Sequence, residues 1–245
     1  MSYYIGLGFT DVMADELPSV LGASITQRFI VSGYGPLAVS GCAEKGRILL
    51  AHGAGAGLSS VFMRQFAATM AEQGVQVLAI DFPYMQQMNE QGKRRPPPPV
   101  KQTLANFDAW YCLLAPLAST PLWVGGKSMG GRIASLFASE VPCPGVVVAG
   151  YPFHPPGKLD KLRLAHFPGI QCPMLILQGE RDPFGTIDEV NGYSLPENMQ
   201  LRWLPDGDHD FKPRRASGLK HAVLIDEAAT LAASFVRAHH TVVAR

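Results

Sequence analysis

A single stretch near the middle of the chain constrains the fold more than any other. Residues 121–131 read Pro-Leu-Trp-Val-Gly-Gly-Lys-Ser-Met-Gly-Gly, an apolar β-like run that leads into a serine between glycines. A serine on so sharp a strand-to-helix turn requires small residues two positions before and after it, and Gly126 and Gly130 meet that requirement. A helix over 129–140 would direct its N-terminal amides and its dipole at Ser128. The stretch therefore predicts a strand, a turn that carries a nucleophile, and a helix.

Two other interpretations of this stretch are weaker. The chain contains 25 glycines, so Gly-x-Ser-x-Gly could be a chance turn. The run Gly126-Lys127-Ser128 also resembles the end of a phosphate-binding P-loop, whose first glycine would stand at Pro121. The Leu-Trp-Val run after Pro121 is typical of a strand, and this disfavours a phosphate cradle.

Composition is typical of a folded α/β protein. The 245 residues are enough for one large domain, and a hydrophobic content of 47% can supply a buried sheet. The net charge of +1 gives no reason to expect nucleic acid as a partner. No apolar run is long enough for a membrane span and the N-terminus lacks a basic signal-peptide region, so we expect a cytoplasmic protein. The cysteines are too scattered for a zinc or redox motif, and they are Cys42, Cys112, Cys143 and Cys172.

Strand-like and helix-like segments alternate along most of the chain. Apolar runs typical of strands lie at residues 36–41, 47–51, 75–80, 145–149, 173–178 and 199–204. This alternation predicts an α/β fold with a mostly parallel central sheet and helices on both faces, after an antiparallel start around residues 33–36. We expect residues 25–245 to form one domain. Residues 1–24 have weak periodicity and are expected to form a loosely docked N-terminal extension.

Two segments break the alternation. Residues 82–100 combine methionines, a basic triplet and four consecutive prolines, and we expect neither a regular helix nor an interior strand there. Residues 151–170 form a second excursion that is too short for a large lid. Both segments are predicted to run over the strand ends as a small cap, although a solvated surface loop explains the first segment equally well.

A glycine-rich loop, His52-Gly-Ala-Gly-Ala-Gly57, follows one of the predicted strands. It could belong to a dinucleotide-binding site, with Asp81 at the end of the next strand as the ribose-binding acid. However, Leu58 stands where the third glycine of that fingerprint is required. The interpretation that we favour is an oxyanion loop, because it also explains the serine turn.

In that interpretation, backbone amides of the loop face the serine. The amide of Ala54, with that of Gly55 as the alternative, would bind an oxyanion together with the amide of Met129. His52 is expected to hold the loop in place rather than to carry a proton.

Acyl transfer by a serine needs a base for the hydroxyl proton, an acid that orients the base, and donors for the oxyanion. Ser128, Asp182 and His209 each follow a predicted strand at its carboxyl end, where a parallel sheet gathers its functional loops. Glu180 is an alternative for the orienting acid. Asp182 is favoured over it because Asp182-Pro183 begins a turn at the strand end. We therefore predict Ser128 as the nucleophile, His209 as the base and Asp182 as the orienting acid.

Three further residues are predicted to contact the substrate. They are Tyr84 in the first cap segment, His154 in the second, and Lys127 beside the serine. An anionic acyl substrate could be attracted by the cations near the predicted site, and they are Lys127, Arg181, Lys212, Arg214 and Arg215. Aspartates that are equally close in the sequence could cancel this field, and they are Asp206, Asp208 and Asp210.

These motifs resemble the α/β-hydrolase superfamily over nearly the whole chain, with residues 126–130 as its nucleophile elbow. More narrowly, residues 125–132, 177–184 and 207–212 are similar to a bacterial branch of a small hydrolase-like family. The animal relatives of that family include a subunit of a chromatin acetyltransferase complex and a testis-expressed protein.

The resemblance implies the α/β-hydrolase fold with a small or minimal cap and a serine-dependent acyl hydrolase of the carboxylesterase or thioesterase type. Such an enzyme cleaves an ester or thioester, with an amide as a further option, through an acyl-enzyme intermediate. It implies the triad and oxyanion roles given above, a small-molecule acyl substrate, and neither a metal nor an organic cofactor. The alternative is a non-catalytic binding or scaffold protein of the same fold, because some relatives serve as scaffolds.

Overall fold

The computed structural model describes residues 3–17, 21 and 26–240. Within these residues, nine strands form one sheet in the order β1-β2-β3-β5-β4-β6-β7-β8-β9. The strands are β1 (Thr10–Val12), β2 (Gln27–Val31), β3 (Gly35–Ser40), β4 (Gly46–Ala51), β5 (Val75–Ile80), β6 (Leu122–Lys127), β7 (Val146–Ala149), β8 (Met174–Gly179) and β9 (Met199–Leu204). Strand β3 is antiparallel to β2 and to β5, and the other pairs are parallel. The predicted mostly parallel central sheet is confirmed.

Helices cover both faces of the sheet. They are α1 (Tyr3–Gly6), α2 (Val61–Glu72), α3 (Pro83–Gln91), α4 (Val100–Leu114), α5 (Met129–Glu140), α6 (Ile187–Val190) and α7 (His221–His240). Short 3₁₀ turns lie at Ala14–Glu16, Ala115–Leu117, Phe167–Gly169 and Arg215–Ser217. Helices α2 and α7 pack against each other, as do α4 and α5.

Strand β4 explains how the two faces are built. All six of its residues are buried, which accounts for its continuous apolar sequence. Ile48 and Leu50 belong to the core beneath α2 and α7, whereas Leu49 and Ala51 belong to the core beneath α4 and α5. Because side chains alternate along a strand, one short run supplies both cores.

The described part of the N-terminal segment is packed against the domain, so the expectation of loose docking is wrong. Strand β1 pairs with β2, with Thr10 opposite Phe29. The side chains of Tyr4 and Leu17 are fully buried. A strand of three residues and single buried side chains give no periodic signal, and this is why the pattern was too weak to predict the packing. The expectation for residues 1–2, 18–20 and 22–24 falls outside the described residues.

The segment over residues 82–100 contains a regular helix, α3, which corrects the expectation that it has none. Pro83 occupies the first turn, where its missing amide hydrogen costs nothing. Gly92 ends the helix in the left-handed conformation with φ 65°, and its amide donates to the carbonyl of Met88. The four prolines from Pro96 to Pro99 lie outside the helix, between α3 and α4. The prolines therefore limit the helix without preventing it.

Residues 151–170 form an irregular excursion between β7 and β8 that contains one 3₁₀ turn. It is anchored by buried aromatic side chains, because Tyr151 and Phe153 are fully buried and the Tyr151 hydroxyl donates to the carbonyl of Arg163 at 2.7 Å. Leu159 and Leu162 of the same excursion are exposed.

Candidate active site

The turn at Ser128 joins β6 to α5 in a strained conformation. Ser128 has φ 52° and ψ −114°, a region that residues with a side chain rarely adopt. A Cβ atom on Gly126 would lie 2.5 Å from the carbonyl oxygen of Ala51, and one on Gly130 would collide with the same carbonyl group. Strand β4 thus approaches the turn so closely that only glycine fits at both positions.

His209 lies between Ser128 and Asp182 in one hydrogen-bonded row. Its Nε2 atom is 2.8 Å from the Ser128 Oγ, and its Nδ1 atom is 2.8 Å from Oδ2 of Asp182. The Asp182 carboxylate is fully buried, and the imidazole is 20% exposed. When the carboxylate accepts the Nδ1 hydrogen, Nε2 is left as the acceptor for the serine hydroxyl. The structure thus brings together the three residues that the sequence predicted as a triad.

Asp182 is held by donors other than His209. Gln178 Nε2 donates to its Oδ2 at 2.9 Å, and the amide of Phe184 donates to its Oδ1 at 2.8 Å. The alternative acid, Glu180, instead accepts the amide of Asp206 at 2.8 Å. Sequence reasoning missed Gln178, although a polar residue near the end of the apolar strand β8 is a recognisable signal.

Lys127 supports the loop that carries His209. Its Nζ donates to the carbonyl of His209 at 2.7 Å and lies 3.2 Å from Oδ1 of Asp210. Only 7% of its side chain is exposed, and its Nζ lies 5.4 Å from the centre of the Phe62 ring. Burial lowers the pKa of Lys127, and Asp210 opposes this shift. The lysine charge is therefore largely committed to the protein itself.

The glycine-rich loop after β4 is supported by two aromatic side chains. The Tyr84 hydroxyl donates to the carbonyl of Ala54 at 3.1 Å. His52 Nε2 accepts the amide of Phe82 at 3.0 Å, so its Nδ1 carries the hydrogen and donates to the carbonyl of Gly53 at 2.6 Å. Burial lowers the pKa of His52 and keeps the ring neutral. These contacts agree with the supporting role that the sequence suggested for His52.

Asp81 fixes the far end of the same loop. Its fully buried carboxylate accepts the amide of Leu58 at 2.7 Å and the hydroxyl of Tyr4 at 2.6 Å. It lies 3.6 Å from His52 Nε2, which is neutral and is not an ion-pair partner. A carboxylate enclosed in this way cannot contact a ribose, and this disfavours the dinucleotide alternative.

A cavity of about 490 Å³ opens at Ser128. It is lined by Gly53, Ala54, Gly55, Ala56, Ser60, Phe62, Met63, Lys127, Ser128, Phe184, His209, Asp210 and His221. Most of its exposed lining is apolar. Sequence reasoning missed Phe62 and Phe184 as lining residues, although each follows a loop that it had selected.

The amides predicted for the oxyanion are near this cavity. Ala54 lines it, and Met129 is the first residue of α5, where a helix leaves its amides without helical partners. Neither amide forms a hydrogen bond within the described residues. This is consistent with the oxyanion role, which stays a prediction.

Of the residues predicted to contact the substrate, only Lys127 lines the cavity. Tyr84 lies behind the loop and holds it through Ala54. His154 is buried, with its Nε2 3.3 Å from Oε2 of Glu189, so it is no longer a candidate for substrate contact.

Two further observations concern metal ligands and membrane-spanning helices. Within residues 3–17, 21 and 26–240, no three side chains of His, Cys, Asp or Glu gather in a way that suits a metal ion. Among the helices in the same ranges, none combines the length and the apolar character that crossing a membrane requires.

Solved structures with the same fold are numerous. A serine hydrolase homologue from Coxiella burnetii has a TM-score of 0.63 at 15% identity, with 86% of this chain and 98% of that chain covered. A dienelactone hydrolase from Anabaena variabilis has a TM-score of 0.61 at 20% identity, covering 85% and 96%. An esterase from Pyrococcus furiosus has a TM-score of 0.60 at 17% identity, covering 90% and 93%. At these identities the similarity establishes the fold alone.

Sequence comparison gives the family. Among curated proteins, none matches this chain. A family model described as an alpha/beta hydrolase domain matches residues 44–237, which is most of the chain. The match includes β4 to β9, the serine turn and the loops that carry Asp182 and His209. The chain therefore belongs to the alpha/beta hydrolase domain family.

Proposed function

We propose that this protein is a serine hydrolase that cleaves an ester or thioester through an acyl-enzyme intermediate. One observation carries the proposal: a hydroxyl, an imidazole and a buried carboxylate form a continuous hydrogen-bonded row beside a largely apolar cavity. A fold alone would not support it, because the same fold hosts unrelated functions.

The geometry supports a sequence of proton transfers. As the Ser128 Oγ attacks the carbonyl carbon, its proton passes to His209 Nε2, and Asp182 stabilises the imidazolium. The carbonyl oxygen becomes an oxyanion that accepts hydrogen bonds from the amides of Ala54 and Met129. Cleavage releases an alcohol or thiol, which takes the proton from His209. A water molecule activated by the same imidazole then hydrolyses the acyl-enzyme and restores the serine.

Similar proteins support the same class of reaction. The solved structures that share the fold include proteins named as a serine hydrolase homologue, a dienelactone hydrolase and an esterase. The narrower resemblance to the bacterial branch with chromatin-associated and testis-expressed animal relatives rests on residues 125–132, 177–184 and 207–212, and it stays a prediction.

The test is covalent labelling with a fluorophosphonate, followed by intact-mass spectrometry. Wild-type protein is expected to gain one adduct and Ser128→Ala none. On any ester that the wild type turns over, Ser128→Ala should lower kcat by roughly 10⁴- to 10⁶-fold, because the triad acts as a unit.

Ser135→Ala is the matched control. Ser135 is a second serine beside a histidine, with its Oγ 2.8 Å from His166 Nε2, but it is fully buried and donates to the carbonyl of Arg132. This variant should retain the adduct. Absence of labelling in the wild type would contradict the proposal and favour a non-catalytic binding protein.

A further inference from the structure

A second groove adjoins the cavity at Ser128. It has a volume of about 300 Å³, and Gly55 and Ala56 line both spaces. The glycine-rich loop therefore separates the cavity at Ser128 from the groove. On its far side the groove is lined by the end of α3 and the residues after it, including Asn89, Lys93 and Arg94.

Two cationic side chains of this groove have no partner among the residues that the structure describes. Lys93 and Arg94 are exposed, and neither forms an ion pair or a side-chain hydrogen bond within the part of the chain that the structure describes. The next residue behaves differently, because Arg95 donates to Gln91 at 2.7 Å and to Gln87 at 3.4 Å. Arg95 thereby ties this segment back to α3.

The wall of the groove offers backbone donors. Within the described residues, none of the amides from Gly55 to Gly57, which line the groove, donates to a protein acceptor, whereas the carbonyls of Gly53 and Ala54 are bound by buried side chains. Successive free amides on a glycine-rich loop are suited to an anion. Asp81 lies behind Gly57, but its carboxylate is fully buried and is occupied by its own donors.

From these contacts we propose that the groove is a subsite for an anionic group of the substrate, either a carboxylate or a phosphate. A short linker over Gly55 and Ala56 would join this group to the acyl centre at Ser128. The inference rests on the proposed hydrolase function and adds a substrate class, an ester or thioester with a remote negative charge. Lys127 does not fill this role, because its charge is committed to His209 and Asp210.

The experiment compares three fluorophosphonates of equal chain length that end in a carboxylate, a phosphate monoester or a neutral amide. In each reaction the Ser128 Oγ forms a bond to phosphorus, fluoride leaves, and the serine proton passes to His209. The measured quantity is the second-order labelling rate. At least one charged probe should label wild-type protein about tenfold faster than the amide probe at low salt, and the ratio should fall as salt is added.

The double variant Lys93→Gln/Arg94→Gln should reduce this ratio to about one. The matched control is Lys158→Gln/Lys161→Gln, which removes the same charge from an exposed part of residues 151–170 and should leave the ratio unchanged. The charged probe with the larger ratio identifies a carboxylate or a phosphate as the ligand group.

Two results would overturn the inference alone: equal labelling of the wild type by all three probes, or an unchanged ratio in Lys93→Gln/Arg94→Gln. A wild type that none of the probes labels would overturn the proposed function as well, and with it the inference.

Discussion

The two glycine-rich connections beside the cavity are held in place in different ways. At the serine turn after β6, backbone packs on backbone, since a Cβ atom on Gly126 would lie 2.5 Å from the carbonyl oxygen of Ala51. In the loop after β4, Gly55 has nothing within 4 Å of where a Cβ would be. That loop is held by side chains from other elements, among them Tyr84 and Asp81. The turn is therefore fixed by sterics, and the loop depends on remote hydrogen bonds.

The sharpest test of this comparison places the same substitution in both connections. Gly126→Ala should lower the free energy of unfolding by about 3 kcal/mol or prevent folding, because the neighbouring backbone cannot move aside. Gly55→Ala should change it by less than about 1 kcal/mol. Urea denaturation measures both, and equal stability of the two variants would contradict the steric account of the turn.

Removal of the negative charge of Asp81 should impair the loop after β4 without disturbing the serine turn. Asp81→Asn leaves one acceptor oxygen for two donors, the Leu58 amide and the Tyr4 hydroxyl, so we expect kcat on an ester substrate to fall by about 10- to 100-fold with KM little changed. The control is Asp226→Asn, whose carboxylate accepts from Gln65 and Thr69 between α2 and α7. The control is expected to lose stability and to keep its kcat. An equal loss of kcat in both variants would mean that Asp81 affects the activity only through overall stability.

The N-terminal segment should also help to hold the loop after β4, through Asp81, with a smaller effect on kcat. Tyr4→Phe removes the hydroxyl that donates to Asp81 and should lower kcat about 3- to 10-fold. Tyr4 lies outside residues 44–237, so this effect would be an addition to the family's common core. Tyr34→Phe is the control, because Tyr34 packs against Trp110 and its hydroxyl makes no hydrogen bond within the described residues. An equal kcat in wild type and Tyr4→Phe would show that the N-terminal segment does not support the active site.

The smallest expected effect is a pH dependence of stability. Burial lowers the pKa of His52 below its ordinary value of 6.5, so the unfolded chain binds a proton there that the folded chain does not. The free energy of unfolding should therefore fall as the pH drops below about 6.5. His52→Gln should reduce that slope by at most about 1.4 kcal/mol per pH unit, as measured by denaturation at several pH values. An identical slope in the variant would mean that the buried ring takes up the proton.

Local patterns were sufficient for much of the fold and for the candidate triad. The run before Ser128 predicted β6, and the pattern after it predicted α5 with the bounds that the structure has. Asp182 and His209 could be selected because parallel strands bring their carboxyl ends to one edge. Their catalytic roles stay predictions. Helix α3 was missed because its proline-rich surroundings hid a capped helix of nine residues.

Long-range contacts could not be predicted in the same way. The carboxylate of Asp81 binds Tyr4, which is 77 residues away in the sequence, and no periodic pattern relates the two. His154 was expected at the substrate because it lies in a cap segment, but its partner Glu189 comes from α6. The position of the Lys93 and Arg94 charges, which have no partner within residues 3–17, 21 and 26–240, also depends on where α3 ends relative to the glycine-rich loop.

The sequence by itself determined the features that depend on residues close together in the chain. Glycines two residues from Ser128 permit one strained turn, and apolar runs between loops specify buried strands. The tertiary structure decided which side chains support the loop after β4, which carboxylate contacts His209, and which cations line the groove beside that loop. Those outcomes depend on distances between elements far apart in the chain, and a hydrogen bond or ion pair forms only when folding brings its two partners within about 3 to 4 Å.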